Sequence, residues 1–299
     1  MLHAPNSASE KRARLRTRLA EGRILALPGA FNPLSAMLIE RRGFEGVYLS
    51  GAVLAADLGL PDIGLTTITE VAARSAQVAR VTQLPTIVDA DTGFGEPMNV
   101  ARTIQLLEDA GVAGVHLEDQ VNPKRCGHLD GKQVVAVDVA ARRINAAATA
   151  RRDADLLVIA RTDARAVEGL EAAIERARAY VDAGADAIFP EALLDEAEFA
   201  AMRAALPVPI LANMTEFGKG PSLSVAQLGE LGIDMVIFPV SLLRLAMGAA
   251  DRALDALARE GTLASTLPAM QTRAQLYELL DYESFTAFDQ SIFDFTVGS

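Results

Sequence analysis

The chain's one thiol, Cys126, lies in the segment KRCGH (residues 124–128), between Lys124 and Arg125 on one side and Gly127 and His128 on the other. Positive neighbours lower a thiol's pKa and raise its reactivity. The alternative is a small buried cysteine packed as a hydrophobe. It fits poorly, because flanking charges and Gly127 predict an exposed loop that can close as a lid. A second constellation is Asp89 and Asp91 in the run TIVDADT (residues 86–92), two apart and so expected on one face of a strand. Two carboxylates there repel unless a cation lies between them. Hard oxygen donors with no histidine or thiol nearby favour Mg2+ or Mn2+ over zinc. Asp62 and Glu118 are placed to complete the shell, directly or through water, although a structural ion pair produces the same spacing.

Polar residues recur at the ends of apolar runs: Ser50, Asp89 with Asp91, Glu118, Arg161 with Asp163, Glu191, Asn213 with Thr215, and Ser241 with Arg244. A charge in an apolar strand costs several kcal/mol unless it is paired or metal-bound, so a ring of them predicts one shared polar site. Arg161, Arg244 and Arg273 could each hold a carboxylate in bidentate fashion or serve plain ion pairs. Tyr48 could act as acid, base or hydrogen-bond donor, or fill the core. His116 shares a face with Glu118 and is at least as readily a partner-bound histidine as a catalytic one. Phe189 could line an apolar part of the pocket.

The elements that must bring these residues together are short apolar runs at 24–30, 46–52, 86–92, 114–120, 156–162, 187–192, 209–215 and 235–241. Helical patterns alternate with them at 69–82, 97–110, 138–150, 167–183, 194–204 and 242–260. Gly43, Gly111, Gly184 and Gly232 stand where helix C-caps belong. Strand–helix alternation predicts parallel pairing in a sheet covered on both faces. Eight such units, with no GxGxxG after the first strand, favour a (β/α)8 TIM-type barrel over a doubly wound sheet. In a barrel the C-terminal strand ends meet at one mouth. The boundaries are a single barrel domain over 1–299, an amphipathic surface helix within 1–22, and a C-terminal helical arm over 242–299, whose last part, 267–299, supplies one or two extra helices.

Composition narrows the partners. Of 299 residues, 51% are hydrophobic and 22% charged, which permits a sizeable core and argues against disorder. A net charge of −11 argues against nucleic-acid binding, although local arginines still suit an anionic substrate. One cysteine closes no internal disulfide and points to a reducing compartment. No run reaches the roughly 18 apolar residues of a membrane span. The expectation is a cytoplasmic protein that contacts no membrane.

The order YLSGA, GLPDIGL, VDADTGFG, HLEDQ, KRCGH, ARTDA, FPEA, NMTEFG and MQTR, over residues 25–285, resembles the 2-methylisocitrate lyases of the isocitrate lyase/phosphoenolpyruvate mutase superfamily. KRCGH is the specific element, since the superfamily's mutases and decarboxylases generally lack that cysteine. The resemblance implies Mg2+ held by Asp89 and Asp91, with Asp62 and Glu118 supporting it through water. It implies substrate contacts from Ser50, Gly51, Cys126, Gly127, Arg161, Glu191, Asn213, Thr215, Arg244 and Arg273, and Ala52 and Phe189 are further candidates for the same pocket. It further implies retro-aldol cleavage of a small di- or tricarboxylate to pyruvate and succinate, as in propionate catabolism, with Tyr48 or a carboxylate as base and Cys126 as acid. A homotetramer that exchanges the eighth helix is the implied assembly. Competing readings are isocitrate lyase, a phosphonomutase or decarboxylase, and a barrel without catalysis. Ser50-Gly51-Ala52 is one residue shorter than the glycine run of many relatives, and GFGEPMN is also short.

Overall fold

Short apolar runs become strands here because their side chains alternate inward and outward with a period of two, and several follow a helix-ending glycine such as Gly43, Gly111, Gly184 or Gly232. In the computed structural model, which describes residues 4–127, 129 and 131–296, the first half of the chain runs α1 (Ala8–Ala20), β1 (Leu25–Pro28), α2 (Pro33–Arg41), β2 (Val47–Leu49), α3 (Gly51–Asp57), α4 (Ile68–Ala79), β3 (Thr86–Asp89), α5 (Pro97–Asp109) and β4 (Gly114–Glu118). Next come α6 (Val137–Ala150), β5 (Leu157–Thr162), α7 (Ala164–Glu168), α8 (Leu170–Asp182), β6 (Ala187–Pro190), α9 (Glu196–Ala205) and β7 (Leu211–Asn213). The chain ends with α10 (Val225–Glu230), β8 (Met235–Phe238), α11 (Ser241–Glu260), a 3-10 turn (Ala264–Ala269), α12 (Arg273–Leu279) and α13 (Tyr282–Phe293). All strand pairs are parallel, in the orders β2-β3-β4-β5-β6 and β1-β8-β7. Single bridges join the two sheets, Gly29 to Tyr48 and Ile188 to Ile210, and close the barrel.

Inside and outside alternate along each strand. Leu27, Ile87, Leu157, Ile159, Phe189, Leu211, Met235 and Ile237 pack in the barrel interior. Val47, Leu49, Val88, Val115, Val158, Ile188 and Val236 pack outward against the helices. Carried one step further, the inward phase places Ser50, Asp89, Glu118, Arg161, Glu191 and Asn213 at the mouth. The registers Asp89–His116 and Glu118–Arg161 set neighbours level with each other.

Three expectations change. Strand two stops at Leu49, so Gly51 and Ala52 begin α3, because AVLAA is a run of good helix formers. Helices α2, α3 and α10 are too short for periodicity to reveal them, although Asn32 with Pro33 marks the start of α2. The N-terminal helix is also more than an amphipathic surface element. Ser7 and Glu10 form its capping box, and Leu15, fully buried, packs into the interior cluster. Buried Lys11, Arg12 and Arg18 donate to the carbonyls of Ala79, Val112 and Arg23 at 2.6, 2.9 and 2.8 Å. These cations satisfy backbone acceptors at the barrel's N-terminal end.

The expected C-caps hold: Gly43, Gly111, Gly184 and Gly232 all have positive φ. Helix α11 does not settle on the barrel; it buries only Ala256 and leaves Leu245, Leu254 and Leu257 exposed. Among the described residues no helix is long and apolar enough to cross a membrane.

If Leu15 plugs the barrel floor, Leu15→Ala should lower unfolding stability by about 2–5 kcal/mol in urea titration. Substitution of Arg14, which faces solvent on the same helix, should change it by less than about 0.5 kcal/mol.

Candidate active site

The barrel mouth opens into a cavity of about 250 Å3. Tyr48, Ser50, Ala52, Asp62, Asp89, Cys126, Gly127, Arg161, Phe189, Glu191, Asn213, Thr215 and Arg244 all line it. Gly51 sits at its edge, donating its N–H to Asp89 Oδ2 at 3.1 Å. A Cβ on Gly51 would lie 3.0 Å from Asp89 Oδ2 and 3.3 Å from Asp91 Oδ1, so both carboxylates converge on this glycine. Arg273 is not brought in: it is exposed at the first residue of α12 and is absent from the cavity lining. Its place in the arm, beyond the projecting α11, keeps it away from its own chain's mouth.

The two aspartates meet by a route that strand periodicity does not describe. Strand β3 ends at Asp89, and Asp91 follows in a left-handed turn with φ 44°. Its N–H donates to Asp89 Oδ1 at 3.0 Å, which folds the second carboxylate beside the first. Lys124 then reaches into the pair. Its ammonium lies 2.7 Å from Asp91 Oδ1 and contacts Asp62. The positive charge expected beside the thiol is therefore committed to carboxylates, Arg125 is exposed, and His128 lies outside the described residues. Cys126 itself is half-buried.

Arg161 is the hub of the opposite wall. Its guanidinium meets Glu118 at 3.2 Å, Asp163 at 3.0 Å and Glu191 at 3.4 Å, and stands 5.3 Å over the Phe189 ring. Asn213 contacts Glu191 at 3.4 Å. Arg244 is held at the rim by Thr215 Oγ1 (3.2 Å), the Glu216 carbonyl (2.8 Å) and the Glu216 carboxylate (2.9 Å). Glu216, together with Phe217, which is 96% exposed and packs under Arg244, is a lining residue that polar strand ends alone did not single out. Glu216 stands three residues past the end of β7, and that place was the clue.

Burial sets the protonation states. It drives the Glu118 carboxyl well above the ordinary range, against the pull of Arg161 and Lys124. It also raises Asp91, with the charge of Asp89, to about 6. Asp89 is penalised by burial too, but His116, Lys124 and Arg161 bring it below its usual value. Burial disfavours the charge on Lys124, yet Glu118, Asp91, Asp89 and Asp62 outweigh that and raise its pKa. His116 falls to about 4 on burial and is neutral. Tyr48, with its hydroxyl 2.7 Å from His116 Nε2, is pushed well above the ordinary phenol value by burial and by Asp89. Held protonated, it is equipped to donate a hydrogen bond rather than to act as a resting base.

Neither oxygen of buried Glu118 accepts a hydrogen bond among the described residues. A buried carboxylate held by one ion pair and no hydrogen bond, near Asp89 and Asp91, suits a hard cation. No three such groups close a metal cage among the described residues. The fit is to an open Mg2+ or Mn2+ site with one or two carboxylate ligands, completed by water and substrate oxygens. Replacing the hub by Arg161→Met removes the ion-pair partner of buried Glu118 and takes one cation from Asp163 and Glu191, so urea unfolding should register a loss of about 3–5 kcal/mol.

Residues 15–258 match the phosphoenolpyruvate phosphomutase family. The chain is 59% identical to the probable 2-methylisocitrate lyase 2 of Corynebacterium glutamicum, over 97% of this chain and 95% of that one. Further relatives called 2-methylisocitrate lyase are 43–61% identical. Among solved structures, oxaloacetate acetylhydrolase bound to 3,3-difluorooxalacetate superposes with a TM-score of 0.90 at 35% identity, over 96% of this chain and 98% of that one. Phosphonopyruvate hydrolase in complex with oxalate and Mg2+ does so at 0.85 and 31% identity, over 94% and 98%. The chain belongs to the phosphoenolpyruvate mutase/isocitrate lyase superfamily, on the branch of relatives named 2-methylisocitrate lyase.

Proposed function

We propose that this protein is a Mg2+-dependent carbon–carbon lyase that cleaves 2-methylisocitrate to pyruvate and succinate. The observation that carries the reading is a thiol, Cys126, lining the same cavity as Asp89, Arg161 and Glu191. Its 43–61% identical relatives of that name support the substrate. Asp89 and Asp91 would hold the metal, with Asp62 and Glu118 in its water layer; Mn2+ fits the same donors. Bound there, the ion would supply a Lewis acid for the substrate's hydroxyl and adjacent carboxylate.

The chain's own groups do the rest. Backbone at Ser50, Gly51 and Ala52 lies beside the aspartates, where it can orient the keto-acid half. Arg244, Asn213 and Thr215 bind the carboxylates of the other half, and Arg161 and Glu191 fix its orientation across from Phe189. The 2-hydroxyl proton passes to a carboxylate of the acidic cluster, since Tyr48 is already protonated. The carbon–carbon bond breaks, its electron pair moves onto the succinate half, and the keto acid forms. The Cys126 thiol gives its proton to that carbon.

In a coupled assay with Mg2+, 2-methylisocitrate should give equal amounts of pyruvate and succinate. Isocitrate, whose keto product would be glyoxylate, should turn over more slowly. Chelation should abolish turnover. Cys126→Ala should reduce kcat by about 10²–10⁴ with metal binding intact; full turnover in that variant contradicts the assignment.

A cytoplasmic homotetramer acting in propionate breakdown fits this reading. Exposed Leu245, Leu254 and Leu257 on α11 match an apolar groove of about 650 Å3 beside α2, lined by Leu38, Phe44, Phe238 and Leu242. Exchange of α11 between subunits would cover both, and Arg273 would travel with the arm. Sedimentation should give a tetramer, and Leu254→Glu should shift it to smaller species.

A further inference from the structure

The loop carrying Cys126 leaves the barrel after β4 and returns through a bridge between Gln120 and Val134. Within it, two buried side chains grip the backbone on either side of the thiol. Gln120 donates from Nε2 to the Arg125 carbonyl at 2.9 Å and accepts from the Arg125 N–H at 2.8 Å. Lys132 donates to the Gly127 carbonyl and, at 2.9 Å, to Asp163 Oδ1. Both Lys132 and Asp163 are buried. Asp163 is itself fixed, by Arg161 at 3.0 Å and by its own N–H on Asp119 Oδ1 at 2.9 Å. The grip is tight as well as charged. A Cβ on Gly127 would come within 2.5 Å of Arg161 Nη2 and 2.6 Å of Glu191 Cγ, so this peptide lies directly on the substrate-binding pair.

We infer that Lys132 is a positioning residue for Cys126. By binding the Gly127 carbonyl and Asp163 together, it ties the thiol's peptide to the carboxylate that also orients Arg161, while Gln120 holds the Arg125 side. The inference rests on the proposed role of Cys126 as acid. It adds that one buried ammonium couples the lid to the anion-binding wall, so the thiol reaches its working position only when Arg161 and Asp163 are in theirs. Lys132 touches no reacting atom in this account.

Cys126 is the one cysteine, so a thiol probe reports on this loop alone. The test uses the full-length Lys132→Gln and Lys132→Arg variants, each checked for an unchanged thermal midpoint. It measures the rate of reaction with 5,5′-dithiobis(2-nitrobenzoic acid) beside steady-state kinetics on 2-methylisocitrate. Lys132→Gln should react about tenfold faster or more, since a charged hydrogen bond that holds the loop is gone. Its kcat should fall by about a hundredfold with KM changed less than about threefold, the split expected when geometry rather than substrate binding is lost. Lys132→Arg keeps the charge on Asp163, tolerates folding if the glutamine variant does not, and should fall between parent and Lys132→Gln on both readouts. Labelling at the parent's rate in either variant overturns the positioning role, whatever happens to kcat. Undiminished turnover in Cys126→Ala overturns the acid reading instead, and with it the catalytic consequence of Lys132.

Discussion

Charge buried without a partner is too costly to keep, and that constraint organises the mouth of this barrel. Five buried carboxylates, Asp89, Asp91, Glu118, Asp163 and Glu191, face three buried cations, Lys124, Arg161 and Lys132. The imbalance is visible in the groups themselves: Glu118 is driven upward by burial, and Asp91 is raised to about 6. A divalent cation on the Asp89–Asp91 side would supply the missing charge there. A polyanionic substrate would be received on the other side, where Arg161 and Arg244 stand. The two demands divide the cavity into a metal-facing wall and an anion-facing wall, with Cys126 carried on the loop between them.

That loop is where charge pairing becomes mechanism. Lys124 is anchored in the acidic cluster and Lys132 on Asp163, so each end of the KRCGH segment is tied to a different wall. Tied in this way, the two lysines fix where the loop carries its thiol.

Much of this was legible in the residues. Eight apolar runs, seven of them ending in polar side chains, pointed to the barrel and its mouth, because a period of two fixes which residues point inward. Of the proposed site residues, those on strand ends, from Ser50 to Asn213, fell into place for that reason. What was hidden depends on distance along the chain. The left-handed turn at Asp91 has no glycine to announce it. The direction of Lys124 is set by carboxylates 33 and 62 positions away, by subtraction from Asp91 and Asp62. The basic residues of α1 read as a solvated face, yet Lys11 and Arg12 are buried on carbonyls of Ala79 and Val112. Arg273 matched a motif but sits on an arm whose position a single chain does not determine.

The claim at the centre of this account is that the cleaved carbon takes its proton from Cys126 inside a closed site. Cleavage of 2-methylisocitrate in D2O, with the succinate analysed by NMR and mass spectrometry, tests it most directly. A thiol held on one face predicts one deuterium per succinate, delivered with a single stereochemistry, and loss of that selectivity in Cys126→Ala. Succinate labelled without facial preference by the unaltered protein, or labelled identically by Cys126→Ala at an undiminished rate, would contradict it.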